Sequence, residues 1–225
     1  MWKKVTKKDQ TNQRSDVLQV ATRGGSVQLV QLLAARADQL SRDEALLIAI
    51  YQHDLEKVQT LLEFDANIYE AHDVFLSAID NAAEDLVELV LLAPKLPCGD
   101  CQAQGLVKAA EKSSLRMTSA LLFSDADTNF DNARAMTQAA RSGDMTVAVA
   151  IAGCQKPPSP PNLDLAAAIA YETLPEHDMC LQMMEICLCS GARGGHTEQV
   201  LCFASERDEL DTVELLLRHD VSIDY

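Results

Sequence analysis

Apolar residues in this chain come in short clusters of helical period, separated by polar or glycine-containing breaks. The stretch DVLQVATRGGSVQLVQLL, Asp16 to Leu33, shows the arrangement: Leu18 and Ala21 stand before a Gly-Gly break, Val30, Leu32 and Leu33 after it. Apolar residues at i and i+3, with small Ala among them, predict a short inner helix that another helix can approach closely. The i, i+3, i+6, i+7 set of Leu55, Val58, Leu61 and Leu62 predicts a more apolar second helix. The breaks are Arg23-Gly24-Gly25, Gln52-His53-Asp54, Ser113-Ser114, Ser142-Gly143-Asp144 and Arg207-Asp208. Each is expected to be the corner of a helical hairpin, with Gly ending one helix and Ser or Asp capping the next.

The same frame returns along the chain. With Ala21 as the first anchor, it fits again at Ala49, Ala78, Ala109, Ala139, Ala168 and Ala204. Successive anchors lie 28, 29, 31, 30, 29 and 36 residues apart. One hairpin cannot bury both of its apolar faces, but a stack of hairpins can, and a period of roughly 30 residues is that of a solenoid.

These copies resemble the ankyrin repeat family. The carrying residues are the pattern Ala-x-x-x-Gly, then Leu, Val and Leu-Leu, then a Gly/Asp-Ala turn, clearest in ATRGGSVQLVQLL, AARSGDMTVAVAIAG and LLEFDANI. The Thr-Pro-Leu-His start of the family's inner helix is absent, and only its apolar position is kept, as Leu18, Leu46, Phe75, Leu106, Met136, Leu165 and Leu201. The unit is a few residues short of the family's length. The resemblance implies an all-α solenoid of about seven stacked hairpins, with tight turns in place of long β-hairpins. The copies cover 15–41, 42–70, 71–100, 101–130, 131–161, 162–195 and 196–225, after a polar extension over 1–14. The Pro-rich turn before LAAAIAYETLP, the stretched copy after it and the ending VSIDY are similar to short, divergent ankyrin-like arrays in large fungal proteins. Tetratricopeptide and HEAT arrays are the rival helical-hairpin classes; the former requires large aromatics at fixed places, which these copies lack.

Three places break the rhythm. CQKPPSPPN, Cys154 to Asn162, carries four prolines, cannot be helix interior and is read as a rigid connector. ETLPEHD, Glu172 to Asp178, is expected to lengthen the corner of the sixth hairpin. PKLPCGDC, Pro94 to Cys101, is expected to be a loop.

Composition fits this picture. Hydrophobic residues make up 48% but aromatics only 4%, so the core must be built from Leu, Val, Ile and Ala, a palette for closely packed helices. The net charge of −15 disfavours phosphate backbones and anionic membranes, so neither nucleic acid nor membrane is an expected partner. There is no apolar stretch of membrane-spanning length. The basic, polar start is not a secretory signal as it stands. Seven cysteines at irregular spacing read as reduced thiols of a cytoplasmic or nuclear protein, although secretion after removal of a signal stays open. Cys180, Cys187 and Cys202 are expected in the core, Cys98 and Cys101 as an exposed pair. Cys98-Gly99-Asp100-Cys101 lacks the context of a redox motif. Cys187 and Cys189 point apart on a helix; His177 and Cys180, at i and i+3, are placed to act together but supply only two of the four ligands a zinc site takes. No metal or cofactor is expected. No nucleophile–base pair or phosphate-binding loop can be placed, so an enzyme is not expected.

The expected function is binding of another protein. The ankyrin resemblance implies recognition by the residues just before each corner: Arg23, Tyr51, Gln52, Asp80, Asn81, Glu111, Lys112, Arg141, Tyr171, Glu172, Glu206 and Arg207. Tyr51 and Tyr171 stand out because Tyr supplies contact area at low entropy cost. Two alternatives are a structural or autoinhibitory segment of a larger protein, and a secreted effector that binds a host protein. The last copy repeats the apolar set of the internal ones, as Leu210, Val213, Leu216 and Leu217. Ile223 and Tyr225 are therefore expected to fold back as a partial cap, or the last hairpin to meet a further repeat or a second copy of the chain.

Overall fold

The computed structural model describes residues 17–68, 72–93 and 95–223. The extension over 1–14 and Tyr225 lie outside them. All regular structure among the described residues is helical, without a strand. The helices are α1 (17–24), α2 (Val27–Ala34), α3 (Gln39–Tyr51), α4 (Leu55–Glu63), α5 (His72–Asp80), α6 (Glu84–Leu91) and α7 (Gly99–Glu111). They continue with α8 (Leu115–Phe123), α9 (Phe130–Ser142), α10 (Met145–Ala152), α11 (Pro160–Thr173), α12 (His177–Cys189), α13 (Gly195–Glu206) and α14 (Leu210–Arg218). None is long and apolar enough to cross a membrane.

The chain divides into two compact units, Met1–Cys101 and Gln102–Tyr225. In the first, α3 pairs with α4 and α5 with α6, while α2 packs on α4, α4 on α6 and α3 on α5. In the second, α9 pairs with α10, α11 with α12 and α13 with α14; α8 packs on α10, α10 on α12, α12 on α14, α9 on α11 and α11 on α13. Within each unit, then, first helices stack on first helices and second on second. This is a solenoid-like arrangement of helical hairpins.

The corners explain the repeated Ala. The Ala49 carbonyl accepts the N–H of Asp54 at 3.1 Å, Ala78 that of Ala83 at 3.0 Å, and Ala109 that of Ser114 at 3.1 Å. Ala139 accepts Asp144 at 3.0 Å and Ala204 accepts Glu209 at 2.9 Å. Each is the long hydrogen bond of a Schellman motif, closed by a left-handed residue. That residue is Gly143 at one corner but His53, Ala82, Ser113 and Asp208 at the others, with φ between 53° and 59°. The expected Gly stop is therefore the exception; elsewhere a residue with a side chain bears about 1–2 kcal/mol of left-handed strain. The Gly pair of the first break works differently. Gly24 belongs to α1, and the Gly25 N–H approaches the Ala21 carbonyl to 2.7 Å, where a Cβ on Gly25 would lie equally close to that oxygen. Capping follows expectation. Ser26, Asp54, Ser114 and Asp144 accept the N–H groups of Leu29, Lys57, Met117 and Val147 at the starts of α2, α4, α8 and α10.

All seven anchors are buried, as are Leu18, Leu46, Phe75, Leu106, Met136 and Leu201. Leu165 is only half-buried, because the sixth copy is read two residues early. There the N–H of Leu174 bonds to the Ala170 carbonyl at 3.0 Å, and Ala167 and Ala170 are wholly buried, so Ala170 holds the corner. The ETLPEHD insertion leaves that corner short, at Leu174 to Glu176, and is absorbed into longer helices: α12 has 13 residues, against 8 for α10. The proline segment ends inside the first turn of α11, with Pro160 at its first position. A missing N–H costs nothing there. The stretch expected to be a loop up to Cys101 turns helical at Gly99.

Two buried polar groups tie neighbouring hairpins. In the first unit Lys57 of α4 donates to the Thr22 carbonyl at the end of α1, at 2.9 Å, and pairs with Asp54 at 2.9 Å. Burial pushes the Asp54 carboxyl up, but the hydrogen bonds and charge of Lys57 more than offset it and hold the group below its usual value. In the second unit the Asp164 carboxylate of α11 accepts the N–H groups of His196 and Thr197 at the start of α13.

Candidate functional site

Because each first helix ends in a closed turn, its last residues project from a fixed place. In the first unit Arg23, Tyr51, Gln52, Asp80 and Asn81 are all exposed. Tyr51 is 61% exposed. The Gln52 amide donates to the Arg23 carbonyl at 3.2 Å, linking the first two corners. In the second unit Glu111, Lys112, Arg141, Glu172, Glu206 and Arg207 are exposed. Glu111 pairs with Arg134 of α9 at 3.6 Å beside a groove of about 360 Å³ that Gln104, Val107, Lys108 and Phe130 also line.

Tyr171 departs from the others. It is half-buried, and the register shift of the sixth copy puts Glu172 in the corner position instead. The Arg207 guanidinium lies over its ring, 5.8 Å from the centroid, and donates to its hydroxyl at 3.4 Å. Burial, then the neighbouring Glu209 carboxylate, raise the Tyr171 phenol above its usual value. Tyr171 thus fixes Arg207, and Arg207 is the exposed end of the pair. Taken together, the corner residues carry acidic and basic groups in equal number, unlike the chain as a whole at −15.

The cysteines fall differently from expectation. Cys180 and Cys187 are buried, and burial pushes their thiols up to about 11 and about 12. Cys202, expected in the core, is exposed on α13, which packs on α11 and α14 among the described residues. Cys101, expected to be exposed, is 2% accessible. His177 and Cys180 do not converge; His177 faces Asp211 at 3.6 Å, and the Cys180 thiol turns to Met184 at 3.7 Å.

Cys98 and Cys101 have a companion that sequence spacing does not reveal. His72, the first residue of α5, brings its Nδ1 against the Sγ of Cys101 and to 3.2 Å from the Sγ of Cys98. The two sulfurs are 2.9 Å apart, and the Cys101 N–H donates to the Cys98 sulfur at 3.3 Å. His72 is exposed, Cys98 half-buried and Cys101 buried, so the cluster opens to solvent on the imidazole side. Burial, with Cys98 and the carboxylates of Asp100 and Asp73 nearby, pushes the Cys101 thiol up to about 12. No protein-family model, curated protein or solved structure matches the chain.

Proposed function

We propose that this chain is an ankyrin-like interaction module that binds another protein through the corner ends of its first helices, in the cytoplasm or nucleus and without catalysing a reaction. The observation that supports this most is the set of exposed corner residues in each unit, each held by a hydrogen-bonded helix end that leaves its backbone little freedom. A rigid backbone lowers the entropy cost of binding. The mixed signs of these residues suit a partner surface that also carries both. Tyr51 supplies an exposed aromatic anchor, and Arg207, steadied by Tyr171, a planar cation.

Tyr51→Ala combined with Arg207→Ala is expected to abolish capture of the partner in a pull-down. Glu63→Ala, on the exposed side of a second helix, should leave it unchanged. A partner retained by the double variant but lost with Glu63→Ala would place the interface on the opposite face.

A second reading concerns the last hairpin. Val221 folds back and is buried, but Phe203, Leu210, Leu217 and Ile223 remain exposed. We propose that this apolar end pairs with a second copy of the chain. Leu216 is wholly buried and cannot report on such pairing, whereas Leu217 is 46% exposed. Leu217→Glu is expected to convert dimer to monomer in light scattering with an unchanged circular dichroism spectrum. A monomer in the wild-type protein at high concentration would refute the pairing.

A further inference from the structure

We infer that His72, Cys98 and Cys101 form a binding site for a thiophilic divalent cation, zinc above all, with three protein ligands and one open position.

The donor set carries the choice of metal. Two thiolates and an imidazole are borderline-soft ligands that prefer zinc to magnesium or calcium. Spacing carries the geometry. Cys98 sits just before α7 and Cys101 in its first turn, so the helix start points both sulfurs to one side. The N–H from Cys101 to the Cys98 sulfur fixes this arrangement, in the way backbone donors steady thiolate ligands. His72 then arrives from the start of α5 and closes the third side. All three donor atoms lie within 4.8 Å of one another. With Zn–S of about 2.3 Å and Zn–N of about 2.0–2.1 Å, a tetrahedral ion would hold its ligand atoms roughly 3.5–3.8 Å apart. The Cys98–Cys101 sulfur separation of 2.9 Å must therefore widen by about 1 Å, by rotation of the half-buried Cys98 side chain, while the exposed imidazole swings outward from both sulfurs. On binding, each thiol releases its proton to solvent as its sulfur bonds the metal, and the imidazole enters neutral through Nδ1.

The imidazole also separates this reading from a redox one. A Cys-x-x-Cys pair that exchanges disulfides needs only two sulfurs and an open approach. Here the more buried sulfur is covered by a nitrogen donor aimed at it. The open fourth position faces solvent beside His72 and would take water or a small anion.

The test uses the full chain, reduced and freed of metal. Cobalt(II) added as a spectroscopic stand-in for zinc should bind at one equivalent with a thiolate-to-cobalt charge-transfer band in the near ultraviolet, and zinc should displace it. Cys101→Ser should abolish the band. His72→Ala, at an exposed position where unfolding is not at issue, should weaken binding by more than the roughly 10–100-fold typical of an outer-shell change. Cys202→Ser should change nothing. A wild-type chain without the band, a band that survives the Cys98→Ser/Cys101→Ser pair, or undiminished affinity in His72→Ala would each overturn the site. Circular dichroism on every variant keeps loss of fold apart from loss of ligand.

Discussion

Leu121→Ala is expected to destabilise the protein by about 2–5 kcal/mol, while Glu111→Ala, at the end of the preceding helix, should change stability by less than about 0.5 kcal/mol. Leu121 lies on α8 with no accessible surface, and its carbonyl also accepts the N–H of Ala126 in the turn that ends that hairpin. Truncation removes buried methyl groups from a helix packed against α10, and the surrounding helices, fixed by their own turns, can close the cavity only in part. Glu111 is exposed and its pairing with Arg134 spans 3.6 Å in solvent, where such pairs contribute little. Urea denaturation of the two variants measures the difference. Equal losses would mean that the inward face of α8 has been assigned wrongly.

Asp164→Ala is expected to cost roughly 2–4 kcal/mol, as much as a core truncation, although it removes a charged residue. Asp164 is 2% exposed, on the inner side of α11. Its carboxylate accepts the N–H groups of His196 at 3.0 Å and Thr197 at 2.9 Å, and the Thr197 hydroxyl at 2.7 Å. It therefore caps α13 from the neighbouring hairpin, where the first N–H groups of a helix have no partner of their own and the helix dipole favours an anion. Alanine would leave the buried Thr197 N–H unpaired and take the acceptor from the part-buried His196 N–H, while the Thr197 hydroxyl would keep the Gly194 carbonyl at 3.1 Å. Gly194 is part of the same arrangement, since a Cβ there would lie 2.5 Å from an Asp164 oxygen. Asp164→Asn keeps an acceptor and should lose less than half as much as alanine. Equal losses for the two would show that charge, rather than hydrogen bonding, sets the energy.

Much of the hairpin architecture was legible because it is local. The helical period, the Ala anchors and the Ser and Asp caps each act within one or two turns of chain. Most of the corner residues are exposed for the same reason, because they end their helices at the turn, but Tyr171 is half-buried beneath Arg207 of the neighbouring hairpin. The sixth copy was misplaced by two residues because LAAAIA offers several alanines at helical spacing, and only the turn at Leu174 decides which one ends the helix.

The candidate cation site was hidden for the opposite reason. Cys98 and Cys101 are visible as a pair, but their third donor is 26 residues from the nearer of them and belongs to another helix. The thiol burial that went wrong, at Cys101 and Cys202, fails in the same way, because burial on a helix depends on what packs against it.

By itself, then, the sequence determined the Ser and Asp caps that start the second helices and the places of most corners, since capping involves only near neighbours, but not the left-handed residue, which at most corners is not the expected glycine. Tertiary structure decided what identical positions experience. Leu61, Val90, Leu121, Ile151 and Leu216 share one place in the frame and are all buried, yet Leu33, at the same place in the first hairpin, is half-exposed. Val58 and Val87 are wholly buried, but Val213 of the last hairpin is not. The residues are alike; the difference is whether a neighbouring hairpin covers them. Stacking also brought Asp164 to α13 and His72 to the two thiols, because contacts between residues some thirty apart depend on how one hairpin rests on the next, which no local period encodes.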